Sequence, residues 1–176
     1  QDGLALYTSV YNSVGTPGTT PNALLTYLLA GVALDNNAAP MDSQRSITVN
    51  PLMQATIVDA LKGLFQQSTA IAQQYEKGEM GRAIGFTWSM DQNVATHTVG
   101  PQGGVPLVAG ADQVGSSLLT DAWTAAAAPR LFLGDVFTID GVFSVNPQSR
   151  QSTGQLQQFV VTANVSSDGA GAATIP

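Results

Sequence analysis

The chain has 176 residues, of which 44% are hydrophobic and 10% charged, and its formal net charge is −6 at pH 7. That length and apolar content are enough to build a hydrophobic core, so the chain is expected to fold. Six Lys and Arg against twelve Asp and Glu, with no basic cluster, argue against the phosphate-binding surface of nucleic-acid-binding proteins. The absence of cysteine excludes disulfides and thiolate metal sites.

No membrane span is predicted, because the longest nearly apolar run, Ala23 to Leu34, has about twelve residues and a spanning helix needs about 20. The chain begins Gln-Asp-Gly, without an initiator Met and without the charged segment and apolar core of a signal peptide. It is therefore expected to be a fragment or a processed chain.

The first half of the chain predicts helices and one short strand. After the turn-rich GTPGTT, Thr20 and Pro21 predict the cap and first position of a helix that ends near Asn36 and Asn37. The β-branched run from Arg45 to Val49 predicts a strand. Asn50-Pro51 predicts the start of a second helix, whose apolar face contains Leu52, Met53, Ile57, Leu61, Leu64 and Phe65. A third helix is predicted at about residues 68–77, before Gly78.

From Gly85 onward the sequence predicts short strands. Residues 135–139 and 142–145 predict a hairpin joined by Asp140-Gly141, a dipeptide that favours tight turns. Residues 155–164 predict another strand, which Ser167-Asp168-Gly169 turns toward a strand at 172–175.

Two segments of this half are not predicted as strands. The alanines of residues 120–129 favour a helical turn, which Pro129 limits. The glycines at 100, 103 and 104 predict a linker, because no strand-to-helix transition and no P-loop lysine accompany them.

Residues capable of chemistry are few. His97 is the single histidine, and without cysteine it supplies neither a metal cluster nor a thiol dyad, so a structural role is favoured. Asp135 and Asp140 would serve as a carboxylate pair for acid–base work, but turn chemistry explains both more simply. Trp88 and Trp123 are interpreted as core or interface residues, and Asn164-Val165-Ser166 as a chance glycosylation pattern. No catalytic residue, metal or cofactor is predicted.

The segment YEKGEMGRAIGF, residues 75–86, combines three glycines with alternating charge. Composition alone favours a helix end followed by a solvated turn. The alternative is a loop that presents mixed charge to a neighbouring molecule and so sets register and partner choice. Its candidate contact residues are Glu76, Lys77, Glu79 and Arg82.

Several separated stretches resemble one protein family in the same order. They are ITVNPLMQATIVDALKGLF, YEKGEMGRAIGFTWS, WSMDQNVATHTVG and GDVFTIDGVFSVNPQSRQSTGQLQQFVVTA. Together they resemble the major capsid (coat) proteins of tailed bacteriophages and prophages, of the P-twenty-two type. The Hong Kong 97 capsid fold of that group carries an inserted β-barrel. The resemblance covers essentially all of the chain, from DGLALY to the end.

The resemblance implies an α+β fold in two domains. Residues 1–100 would be a capsid axial-domain portion, with helices packed on a small sheet, and residues 101–176 an incomplete, mainly antiparallel β-barrel. The axial-domain loop of that fold contacts neighbouring subunits, which gives Glu76, Lys77, Glu79 and Arg82 their expected role. The arm, extended loop and spine helix upstream and the closing strands downstream are missing, so an internal fragment is expected.

The resemblance also implies a function. The chain would be a structural subunit of an icosahedral phage capsid, made in the bacterial host cytoplasm and located in the virion capsid. Its partners would be copies of itself in pentamers and hexamers around packaged DNA, together with a scaffolding protein. A shell subunit needs no cofactor and no membrane, and many weak repeated contacts act together in such an assembly.

Two other functions stay open. A β-rich binding or adhesin module would suit the abundance of Thr, Ser, Gln and Asn, and a sugar-binding surface would show coplanar exposed aromatics. A hydrolase would use His97 with a serine or an aspartate.

Overall fold

The computed structural model describes residues 13–16, 18–61 and 82–176, which divide into two compact units. One, here called the α/β unit, contains residues 14–16, 18–61, 82–96 and 145–153 among the described residues. The other, the β unit, contains Ser13, His97–Ser144 and Gly154–Pro176 among the described residues. The described part of the chain is thus an α+β fold with two helices and small sheets that are mostly antiparallel.

The first helix, α1, spans Leu24–Asn36 and confirms the predicted helix and its end. The predicted start at Thr20 and Pro21 is wrong, since the N-cap residue is Ala23 and no side chain caps it. The Pro21 carbonyl oxygen instead accepts hydrogen bonds from the Tyr27 hydroxyl at 3.2 Å and the Thr56 hydroxyl at 3.0 Å. Pro21 therefore precedes the first helix, and its carbonyl oxygen connects Tyr27 of that helix to Thr56 of the second helix.

Strand β1 spans Ser46–Val49 and helix α2 spans Pro51–Leu61, as the sequence predicts. The Asn50 side-chain oxygen accepts the Met53 amide hydrogen bond at 2.8 Å, which confirms the predicted cap. Ile57 is buried, but Leu52 is exposed and does not belong to the inward face. Leu64, Phe65 and the predicted helix at 68–77 lie outside the described residues.

Strands β2, Arg82–Ala83, and β3, Phe86–Met90, complete a three-stranded sheet in the order β1-β3-β2. β1 runs parallel to β3 and β2 antiparallel to it. A parallel pair needs a crossover connection, and α2 lies within that connection. The core beside this sheet is formed by five buried side chains: Tyr27, Val49, Ile57, Phe86 and Trp88.

The remaining strands belong to the β unit, except that the last residue of β7 and the first two residues of β8 fall in the α/β unit. They are β4 Gly104–Val108, β5 Leu118–Trp123, β6 Ala128–Leu131, β7 Val136–Val145, β8 Ser152–Val160, β9 Val165–Ser167 and β10 Ala173–Ile175. They pair as β10-β5-β4, β6-β9 and β7-β8, and the described strands form no closed barrel. The core of this unit contains Trp123, Leu131, Val161, Val165, Ala173 and Ile175.

The sequence leaves residues 120–129 ambiguous, and the helical turn that the alanines favour is not formed: β5 ends at Trp123, β6 begins at Ala128, and residues 124–127 connect the two strands. Thr120 and Trp123 are both buried, and the indole nitrogen donates to the threonine hydroxyl at 2.8 Å. The same hydroxyl donates to the Ala173 carbonyl oxygen on β10 at 2.9 Å. Burial and pairing with β10 therefore hold residues 120–123 in β5, and the exposed alanines at 125–127 form the connection to β6.

The hairpin predicted at Asp140-Gly141 is also wrong, since β7 runs through this dipeptide without reversing. Gly141 has a φ of +78°, which a glycine in a strand adopts at little cost to make a bulge or local bend. The chain reverses after β7, where the Asn146 side-chain oxygen accepts the amides of Gln148 and Ser149 at 2.9 and 3.0 Å. Asparagine side-chain chemistry, rather than the Asp-Gly pair, makes the turn.

The turn predicted at Ser167-Asp168-Gly169 is confirmed between β9 and β10. One Asp168 carboxylate oxygen accepts the amide hydrogen bonds of Ala170 at 2.9 Å and Ala172 at 2.8 Å. These bonds lower the pKa of Asp168 below its ordinary value, with the bond from Ala172 contributing most. The strand predicted at 155–164 is present as β8 but ends at Val160.

Candidate functional site

Of the four predicted subunit-contact residues, only Arg82 is described. Glu76, Lys77 and Glu79 lie outside the described residues. Arg82 is exposed at the start of β2, the edge strand of its sheet, and pairs through its backbone with Thr87 of β3. A guanidinium at an exposed sheet edge is available for a carboxylate of another molecule, which it can bind in a forked geometry.

A tight turn after Arg82 and Ala83 joins β2 to β3. Ile84 and Gly85 both have positive φ, +57° and +79°, which is the pattern of the tight turns that join two antiparallel strands. A Cβ at Gly85 would meet nothing within 4 Å. Gly85 itself is exposed, so the tip of the turn faces solvent.

In the β unit, His97 meets a buried carboxylate. His97 Nε2 lies 2.7 Å from Asp135 Oδ1, and the two side chains are 26% and 2% exposed. The other carboxylate oxygen, Oδ2, accepts the amide hydrogen bonds of Gly100 at 3.0 Å and Phe132 at 2.7 Å. Asp135 therefore joins the segment from His97 to Gly100 to the turn before β7.

The sequence interpretation of Asp135 as a turn residue is right but incomplete. Its backbone amide donates to the Phe132 carbonyl oxygen at 3.0 Å, so it does close a turn. What the sequence did not predict is that its carboxylate is buried and contacts His97, which lies 38 positions away. Local spacing carries no signal for a contact of that separation.

Asp135 and Asp140 do not form a carboxylate pair. Asp135 is buried just before β7, whereas Asp140 is exposed within that strand. Five positions along an extended strand place their Cα atoms ~16 Å apart. That exceeds the separation at which two carboxylates flank one glycosidic bond, ~5–9.5 Å.

Arg130 is a second buried charge, and sequence analysis did not single it out. Its side chain donates to the Ser167 hydroxyl at 2.7 Å and to the carbonyl oxygens of Gln102 at 2.9 Å and Thr124 at 2.6 Å. A longer bond of 3.3 Å reaches the Ala126 carbonyl oxygen. The available signal was a lone arginine in the otherwise apolar run AAAAPRLFL, since a charge in such a run needs several partners.

The glycine-rich segment at Gly100–Gly104 is not a linker, as the sequence had suggested. A Cβ on Gly100 would lie 2.6 Å from the Arg130 carbonyl oxygen and 2.8 Å from Asp135 Oδ2. A Cβ on Gly104 would lie 2.5 Å from the Ala122 carbonyl oxygen. These glycines are needed because the segment packs closely against β5 and β6.

The two tryptophans are core residues. Trp88 packs against Tyr27 with ring centroids 5.5 Å apart, and Trp123 is buried in the core of the β unit. Asn164 is exposed, and its side-chain oxygen accepts the Leu133 amide hydrogen bond at 2.9 Å. The role of Asn164 in the structure is therefore to fix the backbone ahead of β7.

Groups of three or more His, Asp or Glu able to hold a metal ion are absent from the described residues. Within the same residues, no helix has both the length and the apolar character to cross a membrane. Neither protein-family models nor curated proteins yield a match to this chain.

Proposed function

We propose that the protein is a structural subunit of an icosahedral phage capsid, of the coat-protein group with the Hong Kong 97 fold. The observation that carries the proposal is the order of the four quoted sequence stretches, which resemble that group across the chain. In this proposal the α/β unit is an axial-domain portion and the β unit belongs to the inserted β-barrel. The helices beside a small sheet and the antiparallel strands after it are consistent with that division.

The roles of the charged residues also support a structural subunit. Both carboxylate oxygens of Asp135 hold neighbouring segments, and the Arg130 side chain joins three parts of the β unit. These groups maintain the shape of the protein, which a shell subunit requires. Net charge of −6 further limits adhesion to enclosed DNA.

The partners in this proposal are copies of the chain in pentamers and hexamers, together with a scaffolding protein. Arg82, on the exposed edge strand β2, would contact a neighbouring subunit, with Glu76, Lys77 and Glu79 contributing from the adjoining segment. The protein would be made in the bacterial host cytoplasm and located in the virion.

Electron microscopy tests the proposal. The complete gene product that contains this chain is expressed alone and with its scaffolding protein, and closed shells are expected. Arg82→Glu should reduce shell yield, whereas Arg150→Glu, which reverses another exposed charge in the turn between β7 and β8, should not. Absence of shells under both conditions would contradict the capsid proposal, and an equal loss for both variants would contradict the role of Arg82.

A hydrolase remains the second candidate because the structure brings His97 and a carboxylate together at 2.7 Å. In a catalytic triad this carboxylate would orient the ring, and the other ring nitrogen would accept a proton from a hydroxyl nucleophile. His97→Ala measured against a panel of ester and peptide substrates tests this role. A folded variant that loses a measurable activity of the wild type would favour the hydrolase.

The adhesin alternative gains no comparable support. Of the aromatic rings in the described residues, Phe143 alone is exposed, while Phe137 and Phe159 stack on each other with centroids 5.6 Å apart. A sugar-binding platform needs several exposed rings in one plane.

A further inference from the structure

The three-stranded sheet β10-β5-β4 has an outer face that combines leucine side chains with one carboxylate. The register places Leu107 of β4 opposite Asp121 of β5, and Thr174 of β10 opposite Leu119 of β5. Along β5 the buried Thr120 separates the exposed Leu119 from the exposed Asp121. The side of the sheet away from the core therefore contains four residues, here called the Asp121 face: Leu107, Leu119, Asp121 and Thr174.

The leucines of this face depart from the usual pattern of a solvated sheet. An antiparallel sheet that faces water on one side normally has polar residues there. Leu107 and Leu119 are instead 60 and 52% exposed. Leu107 also occupies the position opposite Asp121, where a cation would stabilise the carboxylate across the strands. Among the described residues, the Asp121 carboxylate has no ion-pair or hydrogen-bond partner.

The charge of the surrounding segments indicates the kind of partner that fits the Asp121 face. Residues 104–123 and 168–175 contain the three strands and the loops next to them. They include Asp112, Asp121 and Asp168 but no Lys, Arg or His. The net charge of the whole chain is −6 as well, so this region repels a second copy and attracts a cationic segment.

Arginine and lysine match both parts of the face. Each has an aliphatic stem that covers apolar surface while its charged end stays in contact with water or a counter-ion. Leu107 and Leu119 supply the apolar surface, and Asp121 supplies the counter-ion. A neutral apolar side chain would cover the leucines but would also remove water from the carboxylate without replacing it.

We propose that the Asp121 face binds an arginine or lysine side chain from a basic segment of another protein. The stem lies across Leu107 and Leu119, and the charged end donates hydrogen bonds to the Asp121 carboxylate. Arginine fits better than lysine, because its planar guanidinium forms two parallel hydrogen bonds with a carboxylate. The inference does not depend on the capsid proposal, since it rests on one sheet face of the β unit.

The contact is expected to be transient. An exposed ion pair changes a binding constant by about fivefold at most. Two half-exposed leucines add far less area than the roughly 800 Å² per partner that a stable interface of standard size buries. A flexible basic peptide is therefore a better match than a folded partner with a large surface, and repeated cations in the peptide strengthen the binding.

An NMR titration tests the site. The isotope-labelled chain is titrated with an acetylated, amidated peptide of alternating arginine and valine. The amide signals of Leu107, Leu119 and Asp121 should shift most, and added salt should weaken the binding. The control peptide alternates glutamine and valine, so it keeps the apolar residues without the charge. It should bind at least about threefold more weakly.

Two aspartate variants separate the site from the overall charge. Asp121→Asn removes the charge but keeps the side-chain shape, so it should weaken binding of the arginine peptide by about fivefold. Asp140→Asn is the matched control, since Asp140 is an exposed aspartate on β7 and the change in net charge is the same. It should leave the affinity unchanged. Circular dichroism checks that both variants are folded.

Three results would overturn the inference: equal affinity for the two peptides, equal losses in the two aspartate variants, or shifts that lie away from the Asp121 face. A fourth concerns the chain without peptide. Shifts at this face that grow with protein concentration alone would assign it to a second copy, and the proposal of a basic partner would then be wrong.

Discussion

His97 and Asp135 share one short contact, 2.7 Å from Nε2 to Oδ1, but they differ in how the rest of each side chain is placed. The carboxylate is 2% exposed and accepts two backbone amides as well, whereas the imidazole is 26% exposed. The two residues are therefore expected to contribute unequally to the free energy of unfolding. Removing the Asp135 carboxylate removes its contact with His97 and its hydrogen bonds from two backbone amides. Removing the His97 ring leaves the carboxylate with both backbone amides.

Asp135→Ala is expected to lower the free energy of unfolding by about 3 kcal/mol. The loss arises because the amides of Gly100 and Phe132 keep their burial but lose their acceptor. Urea unfolding followed by tryptophan fluorescence measures it, since Trp123 lies in the core of the same unit.

His97→Ala is the control for this prediction, and its expected cost is about 1 kcal/mol. Asp135 keeps both backbone amide partners in this variant. An equal loss in the two variants would mean that the carboxylate bonds to the backbone contribute little.

Arg130→Lys is expected to destabilise the β unit by about 3 kcal/mol even though the charge is retained. The guanidinium donates to a hydroxyl and to carbonyl oxygens from two segments, and an ammonium cannot reproduce this planar geometry. Thermal or urea unfolding gives the difference. Arg150→Lys, at an exposed position, should change stability by less than about 0.5 kcal/mol, and a similar loss there would indicate a general effect of lysine.

The sequence predicted correctly those caps and turns that are made by hydrogen bonds between a side chain and nearby backbone amides. The Asn50 cap and the Asp168 turn are made by side chains that bind amides two to four residues away, so their sequence signals were sufficient. The error at residues 120–129 arose where pairing with a distant strand decided the outcome, and the error at Asp140-Gly141 arose because the Asn146 side chain makes the turn instead. Thr120, for example, donates to Ala173, which lies 53 positions away.

The same distinction applies to the candidate site. Asp135 and Arg130 are visible in the sequence, but their partners lie up to 38 positions away, and nothing in their neighbourhood specifies those partners. A charged residue that is buried needs several hydrogen-bonding partners at once, whereas an exposed one is satisfied by water. Sequence alone therefore identified the residue types and missed the contacts that define their roles.

Gly171→Ala is expected to cost about 3 kcal/mol or more, since a Cβ there would overlap the backbone of Trp123 on β5. Gly171 also has a φ of +88°, and its carbonyl oxygen accepts the Trp123 amide hydrogen bond at 3.1 Å. Gly110→Ala separates the two causes. Gly110 has a φ of +90° with nothing within 4 Å of its added Cβ, so only the backbone strain of about 1–2 kcal/mol remains. Equal unfolding midpoints for the two variants would contradict the steric explanation.

Asp168 makes the stability of the β9–β10 turn depend on pH. Backbone hydrogen bonds from Ala172 and Ala170 hold the pKa of this carboxyl below its ordinary value of 3.8. A carboxyl group with a lowered pKa in the folded state adds stability that is present above the unfolded-state value and is lost as the pH falls through the folded-state pKa. The wild type should therefore lose stability on acidification below about pH 4.

The Asp168→Asn variant tests the origin of that dependence, because its amide oxygen still accepts backbone hydrogen bonds but does not titrate. Urea midpoints measured from about pH 6 to pH 2 should fall less steeply for this variant than for the wild type. Asp140→Asn removes one negative charge at another exposed position, so it accounts for the general change in net charge. If the curve of Asp168→Asn runs parallel to that of the wild type, the two amide bonds at the turn do not favour the ionised carboxylate, and the assigned cause is wrong.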